Sequence, residues 1–385
     1  MHSDSIYFDH AATSFPKPPE FWEELTTYQT SIGGSPGRGA HRAADQASEW
    51  VYETRKELAA LFRVTEPERI VFTANATESL NLALLGLLRH GDHVVTTSQE
   101  HNSVVRPLTY LARTRNVLIS YVPLSPEGEL DPSDVRKSIR RKTRLIVVNH
   151  ASNVTGAIAP LEAIGSLSGS LPLLVDATQT AGLVPLDVEK SNVALLAFTG
   201  HKSLYGPTGV GGLYIRPDQD LSPLKTGGTG SLSEEPDQPA FLPDRYESGT
   251  LNMLGIAGLK GSLRFLRKTG IDAIRRHERD LLKRLERGLA GRAGFRLYGP
   301  SLDSVRTGTV SLNLRGWEPS EVSYLLDRLY AIRTRSGLHC SPGTHRALGT
   351  FPSGTVRVSV GYFNTVDEID KLLDALYDIL QQKRS

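Results

Sequence analysis

Between residues 69 and 215 the chain alternates short apolar runs with stretches of helical spacing, and this alternation limits its fold more than any other feature. The spacing predicts strands over 69–73, 93–97, 117–122, 145–150, 171–176, 193–198 and 213–215, with helices over 78–88, 104–113 and 161–167 between them. Such strands, apolar throughout and separated by helices, read as βαβ units around a parallel or mixed sheet buried on both faces. Ligands then sit beyond the C-terminal strand ends. Asp176, Asn149 and the 74–77 loop fall at such ends. Helices are predicted upstream over 20–30 and 43–62. A long helical stretch over 253–290 leads to strands near 309–314 and 355–360 and helices over 319–329 and 366–382. The expected organisation is α/β: an N-terminal arm over 1–20 packing near the small domain, a large domain over 21–255, and a smaller C-terminal α+β domain over 256–385.

Composition narrows the function classes. At 385 residues the chain has room for two domains and a substantial core. The net charge of +2 is too balanced to argue for nucleic acid, and no Lys/Arg block carries interleaved aromatics. No apolar run approaches the roughly 18 residues of a membrane span. No basic-then-apolar leader follows Met1. Cys340 is the single cysteine, so an intrachain disulfide is impossible and a reducing cytoplasm is the expected setting. No metal is called for. The segment 225–243, rich in Gly, Ser, Glu and Pro, reads as a long functional loop. The glycine run 206–212 is not a nucleotide-phosphate loop, because a strand follows it and Gly-Lys-Ser/Thr is missing.

Asp176-Ala177-Thr178-Gln179 followed by Gly200-His201-Lys202 carries the chemistry. Pyridoxal phosphate (PLP) needs a lysine amine to hold it as a Schiff base and a carboxylate to keep its pyridine nitrogen protonated. Lys202 and Asp176 are the candidates, and a freed Lys202 amine is the natural proton shuttle at a substrate Cα. Gln179 could reach the cofactor's phenolic oxygen. The phosphate needs hydroxyls and a helix N-terminus, which Thr73-Ala74-Asn75-Ala76-Thr77-Glu78 supplies, with Thr199 and His201 as further ligands. His101, at a strand end, could stack on the ring and act as an acid. Cys340, flanked by small and turn residues and next to His339, is a nucleophile candidate in an exposed loop. Arg357, inside a β pattern, could pair bidentately with a substrate carboxylate. Each residue has a plainer alternative: a helix cap at Thr77, a structural histidine at 101, an edge-strand arginine at 357.

In this order and spacing the residues resemble the class V aminotransferase-fold enzymes, specifically the cysteine desulfurase/selenocysteine lyase branch. The resemblance begins at Tyr7-Phe8-Asp9-His10-Ala11-Ala12 and takes in Thr77-Glu78-Ser79, Glu100-His101 and Ser152-Asn153-Val154-Thr155-Gly156. It continues through the 176–179 and 200–202 motifs, Tyr205-Gly206-Pro207-Thr208-Gly209, Glu247-Ser248-Gly249-Thr250 and the Cys340 loop to Arg357-Val358-Ser359. It implies a PLP fold-type I homodimer with active sites at the subunit interface. By position it makes Lys202 the Schiff-base lysine, Asp176 the pyridine partner, His101 the stacking histidine and Gln179 the phenolic-oxygen neighbour. Thr77, Ala76, Thr199 and His201 fall in the phosphate-binding positions, with Thr250 donated by the partner subunit. Asn153, Arg357 and Arg335 become substrate binders, and Cys340 the residue that takes sulfur from L-cysteine as a persulfide, leaving L-alanine, before a sulfur-acceptor protein receives it. The chain departs from the family's usual pattern at Ala76, at Ser203, in Ser341-Pro342-Gly343-Thr344-His345 and in the 227–231 glycine-rich loop. A selenocysteine lyase, a cysteine β-lyase, or an epimerase or transaminase on the same scaffold is the alternative, and a non-catalytic binding module the second.

Overall fold

The computed structural model describes residues 5–37, 39–301 and 303–382. The chain runs β1 (Ile6–Tyr7), α1 (Pro19–Thr27), α2 (Arg42–Phe62), β2 (Ile70–Thr73), α3 (Ala76–Leu87), β3 (His93–Thr97) and α4 (Asn102–Arg115). It continues through β4 (Leu118–Val122), α5 (Pro132–Ser138), β5 (Thr143–Asn149), α6 (Leu161–Ser168), β6 (Leu173–Asp176), β7 (Leu195–Thr199) and β8 (Gly211–Ile215). Then come α7 (Met253–Thr269), α8 (Ile271–Leu289), β9 (Phe295–Tyr298), β10 (Thr309–Leu314) and α9 (Pro319–Tyr330). The last elements are β11 (Ile332–Arg333), β12 (Arg335–Gly337), α10 (Pro342–Ala347), β13 (Thr355–Ser359) and α11 (Val366–Gln382).

Seven strands form the large sheet in the order β2-β8-β7-β6-β5-β3-β4. The pairs from β7 to β4 are parallel, and β8 runs antiparallel to both of its neighbours. The sheet is therefore mixed and mostly parallel, as the alternation predicts. Residues alternate between its faces. Val95, Ile146, Val148 and Val175 join the core under α2 and α7, and Val94, Leu145, Val147 and Leu174 join the core shared with α3 and α4. Each of these side chains is fully buried and contributes about 1.5–3 kcal/mol. Strand order reverses between β3 and β5, and the crevice beyond the strand ends there is where open α/β sheets bind ligands.

The smaller body is an antiparallel sheet, β12-β13-β10-β9, under α8, α9 and α11. β1 pairs in parallel with β11, which ties the N-terminus to this body. The helical stretch expected over 253–290 is two helices. Gly270, at φ 83°, ends α7 with its N–H donating to the Leu266 carbonyl. Ile256, Leu259, Leu263 and Leu266 of α7 lie in the large body's core, whereas Leu281, Leu282, Leu285 and Leu289 of α8 lie in the small body's. Ile274 of α8 still lies in the large body's core, so we propose that the change of body falls within α8, between Ile274 and Leu281.

Glycine is required where β8 passes the 73–77 turn. A Cβ on Gly211 would stand 2.6 Å from the Phe198 carbonyl oxygen and 2.8 Å from Asn75 Cα. The glycine run read in the sequence thus lets two backbones meet beside the cleft.

Candidate active site

Five strand ends of the large sheet converge on one cleft, β5 contributing Asn149. β6 ends at Asp176, whose Oδ1 accepts the Thr178 N–H at 2.9 Å. β7 ends at Thr199, and the chain turns through Gly200 and His201 to Lys202. Beyond β3, His101 caps α4, its Nδ1 accepting the Ser103 N–H at 3.1 Å. Beyond β2, Asn75 caps α3, its Oδ1 accepting the Glu78 N–H at 3.1 Å. α3 opens at Ala76, two residues before the predicted start. Ala76 and Thr77 therefore form a first turn on the cleft wall, where free N–H groups and the helix dipole favour an anion. Thr77 Oγ1 lies 2.8 Å from Ser103 Oγ.

The smaller body closes the cleft with Arg335 of β12, Arg357 of β13 and the loop carrying Cys340. β13 is an inner strand of its sheet, and Arg357 is only 2% exposed, so the edge-strand alternative fails. The Cys340 side of the cleft is tied down at several points. Asn153 Nδ2 donates to the His339 carbonyl at 2.7 Å, and the Asn102 N–H donates to the Cys340 carbonyl at 2.8 Å. Ser341 Oγ lies 3.0 and 3.1 Å from the carbonyls of Gln99 and Glu100. Cys340 itself is exposed, as the flanking residues suggested. His339 and Cys340 both occupy the left-handed region, at φ 49° and 59°, a conformation non-glycine residues keep only when surroundings impose it.

The sequence-predicted residues Lys202, Asp176, Gln179, His101, Ala76 and Thr77 all line this cleft. So do Thr199, His201, Asn153, Arg335, Cys340 and Arg357. Thr250 does not. It lines a second cleft with Thr73, Ala74 and Glu78, on the other side of the 73–77 turn. Thr178, Asn75, Ser103 and His339 also line the cleft; Thr178 and Asn75 stand inside the acidic and phosphate-binding motifs and His339 beside Cys340, but the sequence alone gives none of them a separate role.

Burial sets the protonation states. Lys202 is pushed down to about 8 by burial first and by the Arg357 charge second, while Asp176 opposes the shift. The His101 imidazole is held well below its ordinary range by burial and by the Lys202 charge, so the ring is neutral at neutral pH. Behind the cleft floor, Glu100 is pushed up to about 8 by burial, and the Asp176 charge adds to the shift. Glu100 Oε1 accepts from Thr97 Oγ1 at 2.6 Å and from the Asn149 N–H at 3.0 Å.

The cleft offers about 890 Å³ including its open mouth, a size suited to a small molecule. Six polar atoms of its lining, Thr178 Oγ1, Thr199 Oγ1, His201 Nδ1, Asn153 Oδ1, His339 Nδ1 and Arg357 Nε, are buried without a partner. Buried polar groups are normally paired, so these six point to a polar guest. A half-buried amine shifted toward neutrality, a carboxylate, a helix N-terminus and orphan hydroxyls together fit PLP.

The aminotransferase class-V family model matches residues 6–372. A probable cysteine desulfurase of Pyrococcus abyssi is 36% identical over 401 residues, covering 100% of this chain and 96% of the relative. A probable cysteine desulfurase of Methanothermobacter thermautotrophicus is 33% identical, covering 98% of this chain and 95% of the relative. The apo structure of a cysteine desulfurase from Thermococcus onnurineus superposes with a TM-score of 0.92 at 35% identity, covering 98% of this chain and 95% of that one. The Escherichia coli cysteine desulfurase CsdA, solved in an S-sulfonic acid form, gives a TM-score of 0.89 at 27% identity over 98% of this chain and 95% of that one.

Proposed function

Because the chain belongs to the class-V aminotransferase family, we propose that it is a PLP-dependent cysteine desulfurase, converting L-cysteine to L-alanine and keeping the sulfur on Cys340 as a persulfide. The observation that carries this reading is that the chain's one thiol stands in the same cleft as the half-buried Lys202 and the buried Asp176 and Arg357. Lys202 would hold the cofactor covalently and Asp176 would pair with its pyridine nitrogen. His101 would lie against its ring, Gln179 near its phenolic oxygen, and Ala76, Thr77, Thr199 and His201 around its phosphate. When bound, PLP supplies an electron sink that makes the substrate Cα proton acidic.

The chain's own groups do the rest. Arg357, with Arg335 and Asn153, binds the substrate carboxylate. The Lys202 amine, once freed, takes the Cα proton. The Cys340 thiolate attacks the substrate sulfur: the new S–S bond forms, the substrate C–S bond breaks, and the electron pair stays with carbon. That carbon is then protonated and leaves as alanine. A thiol or an acceptor protein removes the persulfide sulfur by attack on the S–S bond. Cys340 is exposed in the cleft mouth, which suits both partners.

Thr250 supports a homodimer in this reading, since it lies outside its own subunit's cleft and Thr250 of the partner subunit would complete the phosphate site. Among the described residues no helix is long and apolar enough to cross a membrane, and we assign the enzyme to the cytoplasm.

The test is alanine and persulfide formation from L-cysteine by the PLP-loaded enzyme and its Cys340→Ala variant. Alanine from the wild type alone is expected. Full-rate alanine from the variant would remove Cys340 from the reaction, and pyruvate with ammonia would identify a β-lyase.

A further inference from the structure

The N-terminal arm enters the cleft wall by pairing with the smaller body. β1 adds to β11, the Phe8 carbonyl accepts the Ser359 N–H at 2.8 Å, and Asp9 forms a parallel bridge with Ser359 of β13. Ser359 lies two residues beyond Arg357 on the same face of that strand. The pairing therefore delivers the Asp9 carboxylate to Arg357, where Oδ1 accepts from Nη2 at 2.6 Å. Arg357 Nη1 donates to the Asn153 carbonyl at 3.0 Å, and its Nε is buried with no partner. Among the described residues Asp9 is the carboxylate paired with this guanidinium.

The charges around Arg357 are one-sided. Arg335 and Lys202 both act on it or are acted on by it, and both line the cleft. A guanidinium 2% exposed among like charges keeps its place only if it is paired and hydrogen-bonded. Asp9 supplies that pairing from the N-terminal arm, two residues before Ala11 of the cleft lining. A planar fork fixed by Asp9 on one nitrogen and a carbonyl on another has its plane set, and its remaining N–H groups point in fixed directions.

We propose that Asp9 is a positioning residue for substrate recognition: it fixes Arg357 so that the guanidinium meets an α-carboxylate, and so makes the cleft select amino acids over amines that lack one. The inference rests on the reading of Arg357 as the carboxylate binder. A second carboxylate at Arg357 meets some repulsion from Asp9. The loss of Asp9 matters more, because an unpaired guanidinium at this depth leaves its place instead of holding it.

The experiment compares PLP-loaded wild type, Asp9→Ala, Asp9→Glu, Arg357→Ala and the Asp9→Ala/Arg357→Ala double variant. For each, the KM for L-cysteine and the inhibition constant of cysteamine, which has the same thiol and amine but no carboxylate, are measured beside the melting temperature. Asp9→Ala is expected to raise the L-cysteine KM about tenfold or more while the cysteamine constant stays put. Asp9→Glu restores part of the difference, and the double variant is no worse than Arg357→Ala. A KM unchanged or lowered in Asp9→Ala, equal weakening of both ligands, or a full additional loss in the double variant would overturn the role of Asp9. If Arg357→Ala itself leaves the preference for L-cysteine intact, the carboxylate-binder reading falls first and the inference with it. If only Asp9→Ala leaves it intact, the inference falls alone.

Discussion

The floor of the cleft and its Cys340 side are built on opposite plans. The floor consists of strand ends of the seven-stranded sheet, where Asp176 and Thr199 are 3% and 2% exposed. Its backbone is regular and its neighbours in space are neighbours in the sheet register, as with Asn149 opposite Asp176. The Cys340 side is an exposed turn of the smaller body with two successive left-handed residues, held by contacts to chain more than a hundred residues away. A group that withdraws electrons from a fixed atom needs the first plan, preorganised and dry. A thiol that must meet a substrate sulfur and then an acceptor needs the second, held in place yet accessible from outside.

Variants can break this division in order of size. Lys202→Ala should lower alanine formation about a thousandfold or more, because the floor loses its proton-transfer group, while Cys340 keeps its reactivity toward a thiol reagent. A steady-state assay beside a thiol-labelling rate checks both halves. Loss of labelling as well would show that floor and loop are not separable.

The floor should also report its own acidity. Lys202 titrates at about 8 instead of near its ordinary 10.5, so a larger fraction of it is neutral at any pH below that range. Only the neutral amine condenses with an aldehyde. The rate of PLP loading followed by absorbance should rise about tenfold per pH unit below pH 8 and level off above it. A rate still climbing steeply to pH 10 would place Lys202 in a wetter site than the fold gives it.

Ser341→Ala addresses the other side. Its hydroxyl is fully buried between the carbonyls of Gln99 and Glu100. Its loss should cost about 1–3 kcal/mol, measured by denaturant unfolding, and slow persulfide formation more than cofactor loading. Equal slowing of both would make the loop part of the floor.

The smallest effect belongs to Glu100→Gln. Burial raises this carboxyl to about 8, so it is protonated at neutral pH and glutamine copies its shape. The substitution should cost less than about 1 kcal/mol at pH 6. Because the folded state binds a proton that the unfolded chain releases above its ordinary value near 4.5, the wild type loses stability as pH rises toward 8 and the variant does not. Melting curves at pH 6 and 9 read the difference, and parallel curves would contradict it.

The two plans also explain what could be read from the chain. The floor was legible because strand ends put compact motifs into the cleft: Asp176, Thr178 and Gln179 come from one, Thr199, His201 and Lys202 from a second, and Ala76 and Thr77 from a third. Element order was legible for the same reason, since each strand announces itself by its own apolar run. Gly270 was read through because helical spacing on either side is strong, and only its φ of 83° shows the break. The Cys340 side was half legible. Small flanking residues foretold an exposed thiol, but not that Ser341 and His339 on either side of it are buried, nor that α10 begins at Pro342. Those facts depend on chain from the β3–α4 turn and on Asn153. The part Asp9 plays is not legible in its N-terminal motif, because its partner lies 348 residues away and only the pairing of the arm with β11 and β13 brings them together.

That the half-buried Lys202 on the floor and the exposed Cys340 loop perform one reaction is open to a direct check. Intact-protein mass spectrometry after L-cysteine, on PLP-treated wild type, Lys202→Ala and Cys340→Ser, tests it most directly. The mass of one added sulfur, removed by reductant and mapped to Cys340, is expected in the wild type alone. Added sulfur in Lys202→Ala, or none in a wild type that nonetheless releases alanine, would contradict it.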